Sequence, residues 1–136
     1  MLRGARRTYG TVIRRALAEA GYDDMPRDGS YVISAIARTG APLGNIITAL
    51  GVSKQAGGQL VDSLVLRGYL ARAVDPEDRR RLTISLTERG EAASGTIRSA
   101  VEGVDKELAN RVGLASVARA RAVLVALIEA GEEAAE

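Results

Sequence analysis

The chain has 136 residues, 46% apolar and 26% charged, the length and composition expected of one soluble globular domain. It contains no Cys and no His, which removes disulfides, thiolate nucleophiles, the commonest general base and the commonest zinc ligand, and with them most hydrolytic and metalloenzyme chemistry. The formal charge is only +2, yet every basic residue except Lys54 and Lys106 is Arg, the side chain that keeps its charge and forks onto phosphate and guanine.

The aromatic residues are Tyr9, Tyr22, Tyr31 and Tyr69, too few to stack on splayed single-stranded bases. Charge is unevenly spread. Arg3, Arg6, Arg7, Arg14 and Arg15 precede any acid, Arg79 to Arg81 form a second cluster, and Glu129, Glu132, Glu133 and Glu136 close the chain. This asymmetry points to an anionic partner. The longest apolar run, Ala122 to Ile128, is far short of the ~20 residues that cross a bilayer, so a cytoplasmic protein without a membrane partner is expected. The Arg-rich opening runs into the domain without a cleavage-like break and is read as a first helix.

Tyr9, Val12, Ile13, Ala16, Leu17 and Ala20 recur at helical spacing, predicting helix one from about Arg3 to Ala20, with Gly21 as terminator. Residues 22–29 read as loop. Ser30 is the expected cap of helix two, which carries Val32, Ile33, Ala35 and Ile36 and ends at Gly40. Ile46, Ile47 and Leu50 make a short helix three that stops at Gly51. Ser53 then caps a helix four with Ala56, Leu60, Val61, Leu64 and Val65 on one side, Gln55, Gln59 and Asp62 on the other, and Gly68 at its end.

From Leu70 the period changes to two. Residues 70–74 and 81–86 predict a β-hairpin with a charged tip, Asp75 to Arg80. Thr87 caps helix five, which runs to about Asn110, with Glu88 and Glu91 at the positive end of its dipole. Helix six, Leu114 to about Glu129, has Val117, Leu124, Val125 and Ile128 on one face and Val123 and Leu127 on the next. That width needs burying, and a second subunit related by a two-fold axis is the expected cover, with the core of a monomer as the alternative.

A helix-turn-helix followed by a hairpin is a winged helix-turn-helix. In that architecture a helix fits the major groove of B-DNA and a hairpin can carry an arginine into the adjacent minor groove. Lys54 and the open amides at the start of helix four suit phosphate. Gln55 and Gln59, four apart on the exposed face, suit adenine edges, although solvated surface residues would look the same. Asp62 would be repelled by phosphate and marks the edge of contact. Gly57 and Gly58 cost about 0.5–1 kcal/mol each inside a helix. They imply close approach of DNA or of another helix, or a helix that is marginal until bound. At the tip, Asp78 can orient Arg80, the minor-groove candidate; an ordinary surface ion pair is the bland reading.

The segments Leu50-Gly51-Val52-Ser53-Lys54-Gln55, Leu60-Val61-Asp62-Ser63-Leu64, Arg67-Gly68-Tyr69-Leu70, Asp75-Pro76-Glu77-Asp78-Arg79-Arg80 and Leu86-Thr87-Glu88-Arg89-Gly90 resemble the MarR (multiple antibiotic resistance regulator) family in order and spacing over about forty residues. The resemblance implies a mainly α winged helix-turn-helix regulator without enzymatic activity. Such a regulator is homodimeric, usually a repressor, and binds pseudopalindromic double-stranded operators without a cofactor. It makes Ser53, Lys54, Gln55, Gly58 and Gln59 the candidate duplex contacts on helix four, and Asp78, Arg79, Arg80 and Arg81 those on the wing. It also implies one MarR-like domain over 1–136, with a DNA-binding lobe at about 30–90 and dimerisation helices at about 1–21 and 88–131.

Many members bind small phenolic or lipophilic ligands between these parts. Tyr9, Arg14, Tyr22 and Tyr31 are candidates to line such a pocket, and core or surface roles account for them equally well. The lack of Cys and His leaves the peroxide-sensing and metal-sensing branches without support. Two rivals from other classes are weighed. One is a winged helix that serves protein interaction or dimerisation without DNA. The other is an enzyme relying on Asp, Glu, Lys and Ser, for which no paired-carboxylate or nucleophile motif is present.

Overall fold

The computed structural model describes residues 1–40, 42–75, 77 and 82–133, without the side chains of Leu82, Glu132 and Glu133. The elements are α1 (Leu2–Glu19), α2 (Gly29–Thr39), α3 (Leu43–Leu50), α4 (Lys54–Leu66), β1 (Leu70–Val74), β2 (Leu82–Leu86), α5 (Glu88–Val112) and α6 (Leu114–Glu133). They follow the predicted order. The chain divides into two compact units, residues 1–100 and 101–136, and α5 passes from one to the next.

In the first unit α2 packs on α3 and β2, and α4 packs on α3 and β1. Its core is apolar: Leu17, Val32, Ile33, Ile46, Val61, Leu64, Leu70, Ala93 and Ile97 are buried, and Tyr69 is fully enclosed. The helical and alternating periods of the sequence thus converge on one interior. Strands β1 and β2 form an antiparallel hairpin in the register Leu70↔Leu86 to Val74↔Leu82.

Helix α2 begins at Gly29 instead of after a Ser30 cap. Asp28 takes the N-cap position at φ 64°, with no side-chain cap bond. The cause is tertiary: a Cβ at Gly29 would lie 3.0–3.1 Å from Met25, Pro26 and Leu64, so the glycine lets the first turn of α2 close onto α4 and the preceding loop.

The second unit comprises the later part of α5 and α6, joined at Gly113, whose φ of +83° makes the reversal. Arg121 of α6 pairs with Asp105 of α5. The apolar side chains of α6 are open to solvent in the single chain, Val123 at 67% and Ile128 at 62%, as the width of the apolar pattern requires of a helix with no cover of its own. Among the described residues, no helix is long and apolar enough to cross a membrane.

Candidate nucleic-acid interface

The turn between α3 and α4 is short because two local devices make it so. Gly51 stops α3 in the left-handed conformation, φ 73°, where a glycine meets no Cβ penalty. Ser53 then starts α4 from an extended backbone, and its Oγ accepts the Ala56 amide at 3.1 Å. The first turn of α4 contains no acidic residue, so the positive end of its dipole stays uncompensated beside Lys54.

Helix α4 is sharply two-sided. Gly57, Val61 and Leu64 are buried, whereas Lys54, Gln55, Gly58, Gln59 and Asp62 are exposed. The four candidate contacts on this helix and its cap Ser53 therefore share an open surface. The two adjacent glycines have opposite environments. A Cβ at Gly57 would fall 2.3 Å from Cγ2 of Ile47, so the close neighbour is α3. A Cβ at Gly58 would meet nothing within 4 Å. Packing accounts for one glycine and leaves the other facing out.

The hairpin rises beside this surface. Its strands are linked by a Thr83 hydroxyl donating to the Ala73 carbonyl at 3.2 Å, and the Asp75 carboxylate accepts the Glu77 amide at 2.9 Å where the tip begins. Arg72 of β1 pairs with Asp62 of α4 and so braces the wing against the helix. The predicted wing contacts Asp78, Arg79, Arg80 and Arg81 lie outside the described residues.

A further cluster sits where α4 hands over to β1. The Tyr69 hydroxyl donates to the Asp24 carboxylate, and Arg89 Nη2 donates to the same oxygen at 2.8 Å. The Arg89 guanidinium lies 4.6 Å from the Tyr69 ring centroid and 5.7 Å from that of Tyr22, and the two rings meet edge to face at 6.2 Å. Burial first, and then the bond to Asp24, push the Tyr69 hydroxyl pKa above its ordinary value. Asp24, Arg89 and Arg67 were not singled out from the sequence as site residues. The available signal was Tyr69 itself, an aromatic in an apolar stretch whose hydroxyl needs a partner once enclosed.

The four candidate effector residues sit on three parts of the first unit. Tyr22 belongs to the Tyr69–Arg89 cluster, Tyr31 is 42% exposed on α2, and Tyr9 and Arg14 lie on α1, where Arg14 reaches Thr11 at 3.3 Å. A cleft of about 330 Å³ in the first unit is lined by Ile36 and Ala37 of α2, Leu43 of α3, Ile84 and Leu86 of β2, and Glu91 of α5.

Residues 23–81, which hold α2 through β1, match the sequence model of the MarR family. The fold is a winged helix-turn-helix. The chain is similar to the transcriptional regulator PA4135, with TM-score 0.73 at 20% identity over 94% of this chain and 93% of that one. It is similar to the reduced form of MarR from E. coli, with TM-score 0.70 at 21% identity over 93% and 92%. A MepR variant of S. aureus bound to an oligodeoxyribonucleotide gives TM-score 0.61 at 17% identity over 95% and 94%. No curated protein matches the chain.

Proposed function

We propose that this chain is a MarR-family regulator that acts as a homodimeric transcriptional repressor in the cytoplasm, gripping pseudopalindromic duplex DNA with α4 in the major groove and Arg80 of the wing in the minor groove. The observation that carries the reading is the open face of α4. Ser53 fixes its start, Gly57 seats the opposite side on Ile47, and Lys54, Gln55, Gly58 and Gln59 are left outward beside an uncompensated helix dipole. Lys54 holds phosphate, and Gln55 and Gln59 read base edges. Arg79 and Arg81 add backbone contacts, and Asp78 orients Arg80.

The uncovered apolar faces of α6 support assembly with a second copy, which would set two recognition helices about 34 Å apart, one turn of duplex. In this arrangement residues of about 30–90 form the DNA-binding lobe, and about 1–21 and 88–131 the dimerisation helices of one domain. A small lipophilic or phenolic effector would relieve repression by shifting that separation. The MepR neighbour bound to an oligodeoxyribonucleotide supports the DNA reading.

Selecting bound fragments from a random duplex pool tests it. Recovered sites should be two-fold symmetric, with half-site centres one helical turn apart. Absence of any binding to duplex in dilute salt would favour a protein-interaction module instead.

A further inference from the structure

Three parts of the first unit meet at Asp24, in the loop between α1 and α2. Its carboxylate holds the Tyr69 hydroxyl and Arg89 Nη2, and its carbonyl accepts Arg67 Nη1 at 2.8 Å. Arg67 Nε in turn donates to Ser63 Oγ at 3.1 Å. One aspartate therefore binds the last turn of α4, the residue that leaves it, and the first turn of α5. The same joint is closed from the other side. The Thr87 amide donates to the Tyr69 carbonyl at 3.1 Å, and the Thr87 hydroxyl caps α5 by accepting the Gly90 amide at 3.0 Å. A Cβ at Gly90 would lie 2.1 Å from the Tyr69 carbonyl oxygen, so only glycine lets the two backbones come this close.

Asp24 sits at the far end of the recognition helix. α4 has 13 residues, which at about 1.5 Å per residue puts its last turn roughly 20 Å from the Ser53 cap. A residue bonded there does not share the surface that meets the duplex. We infer that Asp24 is a positioning residue for DNA recognition: by joining Tyr69 and Arg89 it fixes the angle between α4 and α5, and with it the half-site spacing the protein accepts. The inference rests on the DNA-binding reading above. Its chemistry is charge-dependent, because Asn at this position keeps an acceptor for Tyr69 but loses the anion that orients Arg89 between two rings.

The test uses the full chain as wild type, Asp24→Asn and Tyr69→Phe. Binding is measured on wild-type-selected duplexes whose half-sites are moved by one or two base pairs, over a salt series. Amide exchange is followed without DNA. At a temperature where it is fully folded, Asp24→Asn should bind the best duplex at least about fivefold more weakly. Its slope of log Kd against log salt should be unchanged, since no phosphate contact is lost. Discrimination among spacings should flatten, and exchange should quicken at Gly68, Tyr69 and residues 88–91. Tyr69→Phe, which keeps Arg89 paired with Asp24, should show a weaker form of the same pattern.

Unchanged affinity and spacing preference in folded Asp24→Asn would overturn the inference, leaving a merely structural contact. A slope reduced by about one would overturn it in favour of a direct phosphate role. If wild type ignores duplex altogether, the functional reading fails and the recognition half of the inference fails with it. The exchange measurement then still decides whether Asp24 clamps α4 to α5.

Discussion

Alanine at Gly57 and at Gly58 should act in opposite directions, although the two positions are adjacent in one helix. Either substitution removes a helix-interior glycine, a gain of about 0.5–1 kcal/mol on propensity alone. At 58 nothing lies within 4 Å of the new methyl, so the gain should be realised in full. At 57 the methyl would be placed 2.3 Å from Ile47 Cγ2, where carbon atoms settle at about 3.5–4.0 Å, so α3 and α4 must part by more than about 1 Å. Overpacking of this kind costs about 1–3 kcal/mol, which cancels the propensity gain or exceeds it by up to about 2.5 kcal/mol. The two variants should therefore melt several degrees apart, Gly58→Ala above wild type and Gly57→Ala at or below it. Circular dichroism melts read this directly. Ile47→Ala, which removes the offending Cγ2, should restore Gly57→Ala by a favourable coupling in a double-mutant cycle. Gly58→Ala should also lose DNA affinity while gaining stability, because its methyl occupies the face proposed to meet the duplex. If Gly57→Ala melts as high as Gly58→Ala, the close α3–α4 contact is refuted.

Tyr69 makes stability depend on alkaline pH. Its hydroxyl has a higher pKa folded than unfolded, so the favourable contribution is complete below the unfolded value of about 10 and is lost as pH rises from there through the folded value. The melting midpoint of wild type should fall as pH rises above about 10 more steeply than that of Tyr69→Phe; parallel curves would contradict the assignment. For the second unit, Ile128→Glu should leave helix content unchanged while weakening self-association at least about tenfold in sedimentation, as expected for a charge placed in an apolar interface. A dimer of unaltered strength would mean that a second copy does not cover this face of α6.

What the sequence made legible was whatever short-range chemistry controls. Gly51 and Ser53 define the turn because a left-handed terminator and a hydroxyl cap act within three residues of themselves, and the structure shows both. The switch from helical to alternating period at Leu70 located the hairpin for the same reason. Long-range partners were not legible. Asp24 meets Tyr69 and Arg89 across 45 and 65 positions, and no local pattern marks a loop aspartate as their common acceptor. The Gly57-Gly58 pair shows the mixture: its energetic cost can be read from the sequence, but which glycine faces α3 depends on the phase of α4 against Ile47. The start of α2 shows a local rule overridden, since close packing of Gly29 against Leu64 prevails over the capping preference of Ser30.

Asp62 takes on a different meaning once Arg72 is seen beside it. Taken alone on the exposed face of α4, its carboxylate would repel phosphate and end the contact surface. Paired with Arg72, it forms a locally neutral unit and holds a guanidinium against the helix flank. Both side chains are more than one-third exposed, so the pair contributes at most about 1 kcal/mol to stability. Under the proposed DNA-binding function its larger consequence is for selectivity, because a restrained Arg72 is withheld from the sequence-independent attraction of the DNA backbone. Asp62→Ala should therefore leave the melting midpoint nearly unchanged while freeing Arg72 to meet phosphate. The salt dependence should steepen by about 0.9 in slope, and affinity for unrelated duplex should rise more than affinity for a selected site. Anisotropy titrations on both duplexes over a salt series would show this. A slope equal to that of wild type would mean that Arg72 lies beyond reach of the backbone and that the pair serves only to brace the wing.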